Sequence, residues 1–321
     1  MVSNLKLYDE IFQCIDFEKI KDHPNILIAA RFWDDDRYKA AKTCYKLMRK
    51  IDDLIDNHKA SHKIISENEK GLFIANVNYW IKLFSGKKII NASQKELADT
   101  FSRFHIPHWP MEAFAKAMIY DIHHDGFPTL DAFLEYAQGA SVAPAAIFVH
   151  LAGLNGQSGH YDPPRFDVKQ SSVSCAIFSY LVHIIRDFQK DQLNNLNYFA
   201  DDLIEKHGLK KSMLAEIANG APVDRNFRAL IHDYYKLAEQ YRNKTYECIK
   251  QISPLMEPRY QLSLQIIFNL YLMVFERINI QKGTFTTEEL NPTAGEIRLK
   301  VQETILNFEP VCSGSRPYNV A

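Results

Sequence analysis

Cysteine is scarce and scattered in this sequence. Cys14, Cys44, Cys175, Cys248 and Cys312 are odd in number and contain no CxxC pair, which excludes a disulfide framework and a cysteine zinc site. A reducing, cytoplasmic setting fits best. An excess of one charge is also missing. Lys and Arg number 38 against 39 Asp and Glu, for a formal net charge of -1, whereas a nucleic-acid binder usually carries a basic excess. The opening MVSNLKLYDE lacks the basic-then-apolar pattern of a secretory signal. The most apolar stretch, 264–275, is too short to span a bilayer and contains Asn269, so it reads as a buried core helix. No alternating apolar run is bounded by hairpin turns. There is no G-x-S-x-G, P-loop, G-x-G-x-x-G or HExxH motif, and no repeat or linker divides the chain.

Helix signals fill the space that strands leave. Apolar residues recur at three- and four-residue spacing, and the pattern predicts helices over 36–58, 67–84, 94–104, 110–122, 130–154, 168–192, 200–206, 210–218, 224–251, 257–281 and 286–307. Gly139 and Pro144 interrupt the fifth of these, and NGQSGHYDPPRF at 155–166 reads as a loop. In the first, Ala40, Cys44, Leu47, Met48, Ile51 and Ile55 form an inner face, and Asp34, Asp35 and Asp36 cap its start and favour its dipole. A chain of 321 residues can bury a large core unaided. The expectation is an all-α bundle, one domain over residues 1–309 around a common core, with a poorly ordered tail from Pro310.

Two acidic clusters stand out. In RKIDDLID, Asp52 and Asp56 are four apart and share a helix face, Asp53 flanks it, and Arg49 lies one turn earlier. In HIIRDFQKD, His183, Asp187 and Asp191 follow at four-residue steps, with Tyr180 continuing the stripe on an otherwise apolar helix. Either cluster alone reads more readily as a solvated helix end with local salt bridges. Together, two such faces across a bundle cavity suit magnesium, a hard ion that takes a few carboxylates plus substrate phosphate oxygens. Magnesium would neutralise a diphosphate and make it a leaving group. Asp121, His123, His124 and Asp125 end a helix before Gly126, and a histidine-rich helix end accounts for them better than a metal site.

At these residues the sequence resembles the squalene/phytoene synthases, the head-to-head prenyltransferases. RKIDDLID is similar to the family's RxxDDxxD, and RDFQKD, Arg186 to Asp191, to its second motif. The resemblance implies the class I terpenoid synthase fold, with Asp52, Asp53, Asp56, Asp187 and Asp191 around magnesium. It places Arg49 and Arg186 on diphosphate oxygens, Tyr136 near the diphosphate of a cyclopropyl intermediate, and Tyr271 on a late helix. The implied substrates are isoprenyl diphosphates, farnesyl or geranylgeranyl, which leaves room for peripheral membrane contact. Squalene-forming members also need NADPH, for which no motif appears here. The sequence departs from the family at Tyr180 and His183, where Gln and Asn are usual, and at Pro144 within YAQGASVAPAA. Only His23 of HPNIL matches the family's HSxSF start. His183 is open to four readings: a ligand, a donor to a ligand, a proton acceptor or a structural histidine. A terpene cyclase on the same scaffold and a catalytically silent lipid- or partner-binding protein are the alternatives.

Overall fold

The structure, a computed structural model, describes residues 2–20, 25–61, 65–82, 91–156 and 160–311. The expected tail beyond Val311, and His23, lie outside these residues. Among the described residues there is no strand, and pairing is confined to isolated bridges between Phe127 and Ala200 and between Asn155 and Asp162. The helices are α1 (Val2–Gln13), α2 (Asn25–Ala30), α3 (Asp35–Ser61), α4 (Glu67–Ile81), α5 (Ala92–Arg103), α6 (Trp109–His123), α7 (Leu130–Ala137), α8 (Ala143–Gly153), α9 (Val168–Arg186), α10 (Phe188–Leu193), α11 (Asp201–Lys206), α12 (Lys211–Ala218), α13 (Arg225–Ile252), α14 (Pro258–Arg277), α15 (Thr287–Leu290) and α16 (Ala294–Leu306).

Local chemistry sets these boundaries. Asp34 accepts the Arg37 backbone N–H at 3.0 Å, and Asp35 and Asp36 occupy the first turn of α3, as expected for a helix start. The six residues of its expected inner face are all buried. Ser66 with Glu69, and Thr293 with Glu296, form reciprocal capping boxes on α4 and α16. Between α7 and α8 the chain makes a π-helical turn, Gln138–Val142. Gly139 in that turn lies against α6 so closely that a Cβ would come 2.3 Å from the Ala113 carbonyl oxygen. Two apolar stretches, Leu130–Gly153 and Val168–Arg186, are long enough to cross a membrane by length and composition alone. Both wall a large, open cavity.

The structure differs from the sequence expectation in four places. The helices α1 and α2 were not expected. The helix expected over 168–192 divides at Asp187. That over 257–281 stops at Arg277, and that over 286–307 divides around Pro292, which cannot donate to a helical ladder. The single expected core is also two clusters. The larger gathers residues from α2 through α15. The smaller joins Tyr8 and Phe12 of α1 to Leu262, Ile266 and Leu270 of α14 and Val301 and Ile305 of α16. The reason is α14, which carries the most apolar stretch of the chain. It buries Tyr260, Val274 and Phe275 in the larger cluster and its opposite face in the smaller, so it is sandwiched on two sides.

Candidate active site

The long helix α3 and the α9–α10 junction face each other across a cavity of about 450 Å³, within the usual range for small-molecule sites. Arg49, Asp52, Asp53 and Asp56 line it from α3. His183, Asp187 and Asp191 line it from the other wall, with Tyr136 and Tyr271 between. Every site residue expected from the sequence therefore meets in one place except Arg186. That side chain lies behind the wall and reaches the site through Asp187, donating from Nε at 2.7 Å and Nη2 at 2.8 Å.

The break at Asp187 leaves the expected spacing intact. Asp187 closes α9 with its N–H on the His183 carbonyl at 2.8 Å, and Asp191 N–H bonds the Asp187 carbonyl at 2.8 Å. The four-residue steps survive, although the dihedrals of Asp187, φ -94 and ψ 6, are those of a helix end. His183 adds a third contact, its Nε2 lying 2.6 Å from Asp187 Oδ2. A carboxylate only accepts, so Nε2 carries the hydrogen. Burial would raise the Asp187 pKa, but His183 and Arg186 outweigh it and hold the carboxyl far below its ordinary value.

The other carboxylates are crowded rather than neutralised. Burial, then Asp56, pushes Asp52 well above the usual carboxylate range despite Arg49. Asp56 is raised by burial against the pull of Lys59 and Arg49. Burial with Asp187 and Asp56 as neighbours pushes Asp191 up to about 8. Arg49 donates to Asp52 at 2.9 Å and also pairs with Asp53, and its side chain is 47% exposed, leaving it free to turn toward a ligand.

Away from the carboxylates the cavity becomes apolar. Ala140, Pro144, Phe148 and Ile267 line it there. A further apolar space of about 60 Å³ adjoins it, sharing Ile26, Ala145, Phe148, Cys175 and Ile267 as its wall. One end of the cavity thus suits an anion with cations, and the other a hydrocarbon chain.

Asp121 is the residue that sequence reasoning placed elsewhere. His123, His124 and Asp125 are exposed at the end of α6, and His124 stacks on Tyr120 at 3.9 Å, consistent with a helix end. Asp121 instead turns inward. It accepts from the Tyr136 hydroxyl at 2.5 Å. Burial pushes it up to about 7, against the pull of Lys59. The signal was present: Asp121 continues the buried stripe Phe114, Met118 of α6 at helical spacing. Tyr180 and Tyr198 complete the polar corner, and Tyr180 stacks on Phe133 at 5.4 Å.

The family model for squalene/phytoene synthase matches residues 21–301. The chain belongs to this family. Members of the squalene/phytoene synthase family are prenyltransferases, and both acidic motifs fall inside the matched span. Solved structures with the same fold include a dehydrosqualene synthase in complex with a ligand, at TM-score 0.65 and 14% identity, covering 95% of this chain and 100% of that one. Squalene synthase HpnC from Alicyclobacillus acidocaldarius superposes at TM-score 0.63 and 12% identity, covering 85% and 92%. YisP from Bacillus subtilis subsp. subtilis strain 168 does so at 0.58 and 15%, covering 94% and 98%. Members of the family typically depend on a metal through their diphosphate substrate, and among the described residues no group of three or more His, Cys, Asp or Glu could hold a metal ion by itself. Asp56 raises both Asp52 and Asp191, so a cation that arrived with diphosphate oxygens would relieve these carboxylates.

Proposed function

We propose that this family member condenses two isoprenyl diphosphates, farnesyl or geranylgeranyl, head to head through a cyclopropylcarbinyl diphosphate to a squalene- or phytoene-type product. The observation that carries the reading is the polarity of the cavity: facing acidic walls at one end and an apolar continuation at the other. Asp52, Asp56 and Asp191, with Asp187, would hold magnesium, which when bound neutralises the diphosphate and assists its departure. Arg49 would orient diphosphate oxygens through its planar donor fork. The buried Tyr136 hydroxyl, fixed by Asp121, presents its oxygen to the polar end. The rings of Tyr136 and Tyr271 exclude water from a developing allylic cation and can face it with their π-systems.

The test is incubation with magnesium and farnesyl diphosphate, with and without NADPH, then with geranylgeranyl diphosphate. Mass spectrometry reads the extracts, including phosphatase-treated samples that reveal a cyclopropyl intermediate. A product with twice the carbons of the substrate supports the proposal. Release of diphosphate with an unchanged carbon count replaces it with a cyclase. No turnover and no diphosphate release would leave a binding protein.

A further inference from the structure

The large cavity and the small apolar space beside it share a partition. Phe148 of α8, Cys175 of α9 and Ile267 of α14 belong to the walls of both, and Phe148 is the bulkiest of the three. Its ring is braced. Trp33 borders only the smaller space, and its ring lies behind Phe148 at 6.0 Å, tilted by 54°. Trp33 is itself locked, since Nε1 donates to Ser263 Oγ at 2.8 Å and that hydroxyl donates to the Ala29 carbonyl at 2.9 Å. It also packs against Tyr260, with ring centroids 6.2 Å apart. Swinging Phe148 aside would have to displace a hydrogen-bonded indole. The hydroxyls around the smaller space, Ser263 and Thr245, both donate to main-chain carbonyls, so that space suits hydrocarbon.

Distance along the wall decides what reaches the partition. From Tyr136 at the polar end to Phe148, the wall runs about 18 Å at about 1.5 Å per residue. An extended farnesyl tail measures about 13 Å and a geranylgeranyl tail about 18 Å, at about 1.2 Å per bond. With the diphosphate held at the carboxylates, the shorter tail ends before Phe148 and the longer one meets it. We infer that Phe148, braced by Trp33, is the chain-length stop of this cavity, and that the prenyl substrate is farnesyl rather than geranylgeranyl diphosphate. The inference rests on the reading of the cavity as a prenyl diphosphate site. Without the Phe148 ring the two spaces join, and the smaller one receives the last isoprene unit of the longer tail.

Two readouts on the full chain with magnesium test this. The first is calorimetric binding of the unreactive farnesyl and geranylgeranyl thiolodiphosphates. Wild type should favour the farnesyl analogue by about tenfold, and Phe148→Ala should abolish that preference. Ala152 lines the smaller space alone, so adding Ala152→Leu to Phe148→Ala refills that space and should bring the preference back to within about threefold of wild type. Equal binding of the two analogues by wild type overturns the inference, as does a folded Phe148→Ala that keeps the full preference or a double variant that stays indifferent. Should Phe148→Ala fail to fold, Phe148→Leu decides instead: its preference should fall by about threefold, and an unchanged one overturns the stop. The second readout is the carbon count of the product from each diphosphate, by mass spectrometry. A farnesyl preference in binding without a doubled-carbon product overturns the proposed condensation and leaves the stop in place. Doubled-carbon products formed equally well from both substrates do the reverse. Binding of neither analogue overturns both.

Discussion

The two acidic walls of the cavity look alike as motifs and differ as electrostatics. On α3, Asp52 and Asp56 are half-buried near one another with the exposed Arg49 and the buried Lys59 for relief, and both are raised. At the α9–α10 junction, Asp187 has cationic or hydrogen-bonding partners on both oxygens and is held ionised. The first wall is poised to gain a cation. The second already contains its own counter-charge, and only Asp191 remains raised there, despite Lys190 and Arg186. An acidic motif therefore names a candidate ligand set, but its neutralising neighbours decide how much each member gains from a metal.

The largest effect should come from carboxylates that stay raised despite their cationic neighbours. Asp52→Asn and Asp191→Asn should each lower kcat by about 10³-fold or more, as for loss of a main group that stabilises developing charge. Steady-state assays under saturating cation check this, and a loss below tenfold would remove either residue from the site. Next, the two arginines should separate. Arg186→Gln leaves the Asp187 carboxylate buried with half its partners, and should cost about 3 kcal/mol in chemical denaturation. Arg49→Gln, exposed, should cost less than about 1 kcal/mol while raising KM. Equal losses of stability would erase the contrast between the walls.

A smaller effect concerns pH. Asp121 is raised to about 7 in the folded chain, above its unfolded value near 4. Between those values the folded chain holds a proton that the unfolded chain has lost. Its contribution makes stability fall as pH rises from about 4 to about 7, and level off above. Asp121→Asn should remove that slope and stabilise the metal-free protein at pH 8 by about 1–2 kcal/mol. An unchanged slope would place Asp121 in a wetter setting. The smallest effect belongs to the exposed helix end, where His123→Ala should leave turnover within about twofold. A larger loss would return these histidines to the site.

Much of this site was legible because helical spacing is reliable over long elements. Asp52 with Asp56, and His183 with Asp187 and Asp191, needed only the three- and four-residue rule to share a face. The end of α9 at Asp187 did not disturb that, since the i, i+4 backbone bonds run on through it. Asp121 was hidden because its neighbours His123 and His124 advertise a solvated helix end, while its own position on the buried stripe depends on what α6 packs against. The helices α1 and α2 were missed for a related reason. α2 has only six residues, too short for periodicity, and α1 is held by the smaller core through contacts with α14 and α16 that lie far along the chain.

The π turn between α7 and α8 changes the helical phase of the cavity wall. An unbroken α-helix starting from Tyr136 would repeat its stripe at 140, 143 and 147. One extra residue in the turn shifts the next stretch of helix by one position. The cavity is accordingly lined by Tyr136, Ala140, Pro144 and Phe148, while Ala143 and Ile147 are buried in the core. The two halves of this wall are thus in different registers. Deleting a single residue within Gln138–Val142 would restore a continuous α-helix and leave Pro144 and Phe148 on the wall. Straightening the turn with every residue kept would instead bring Ala143 and Ile147 onto it, and re-tailor the apolar floor without altering one residue of either acidic motif.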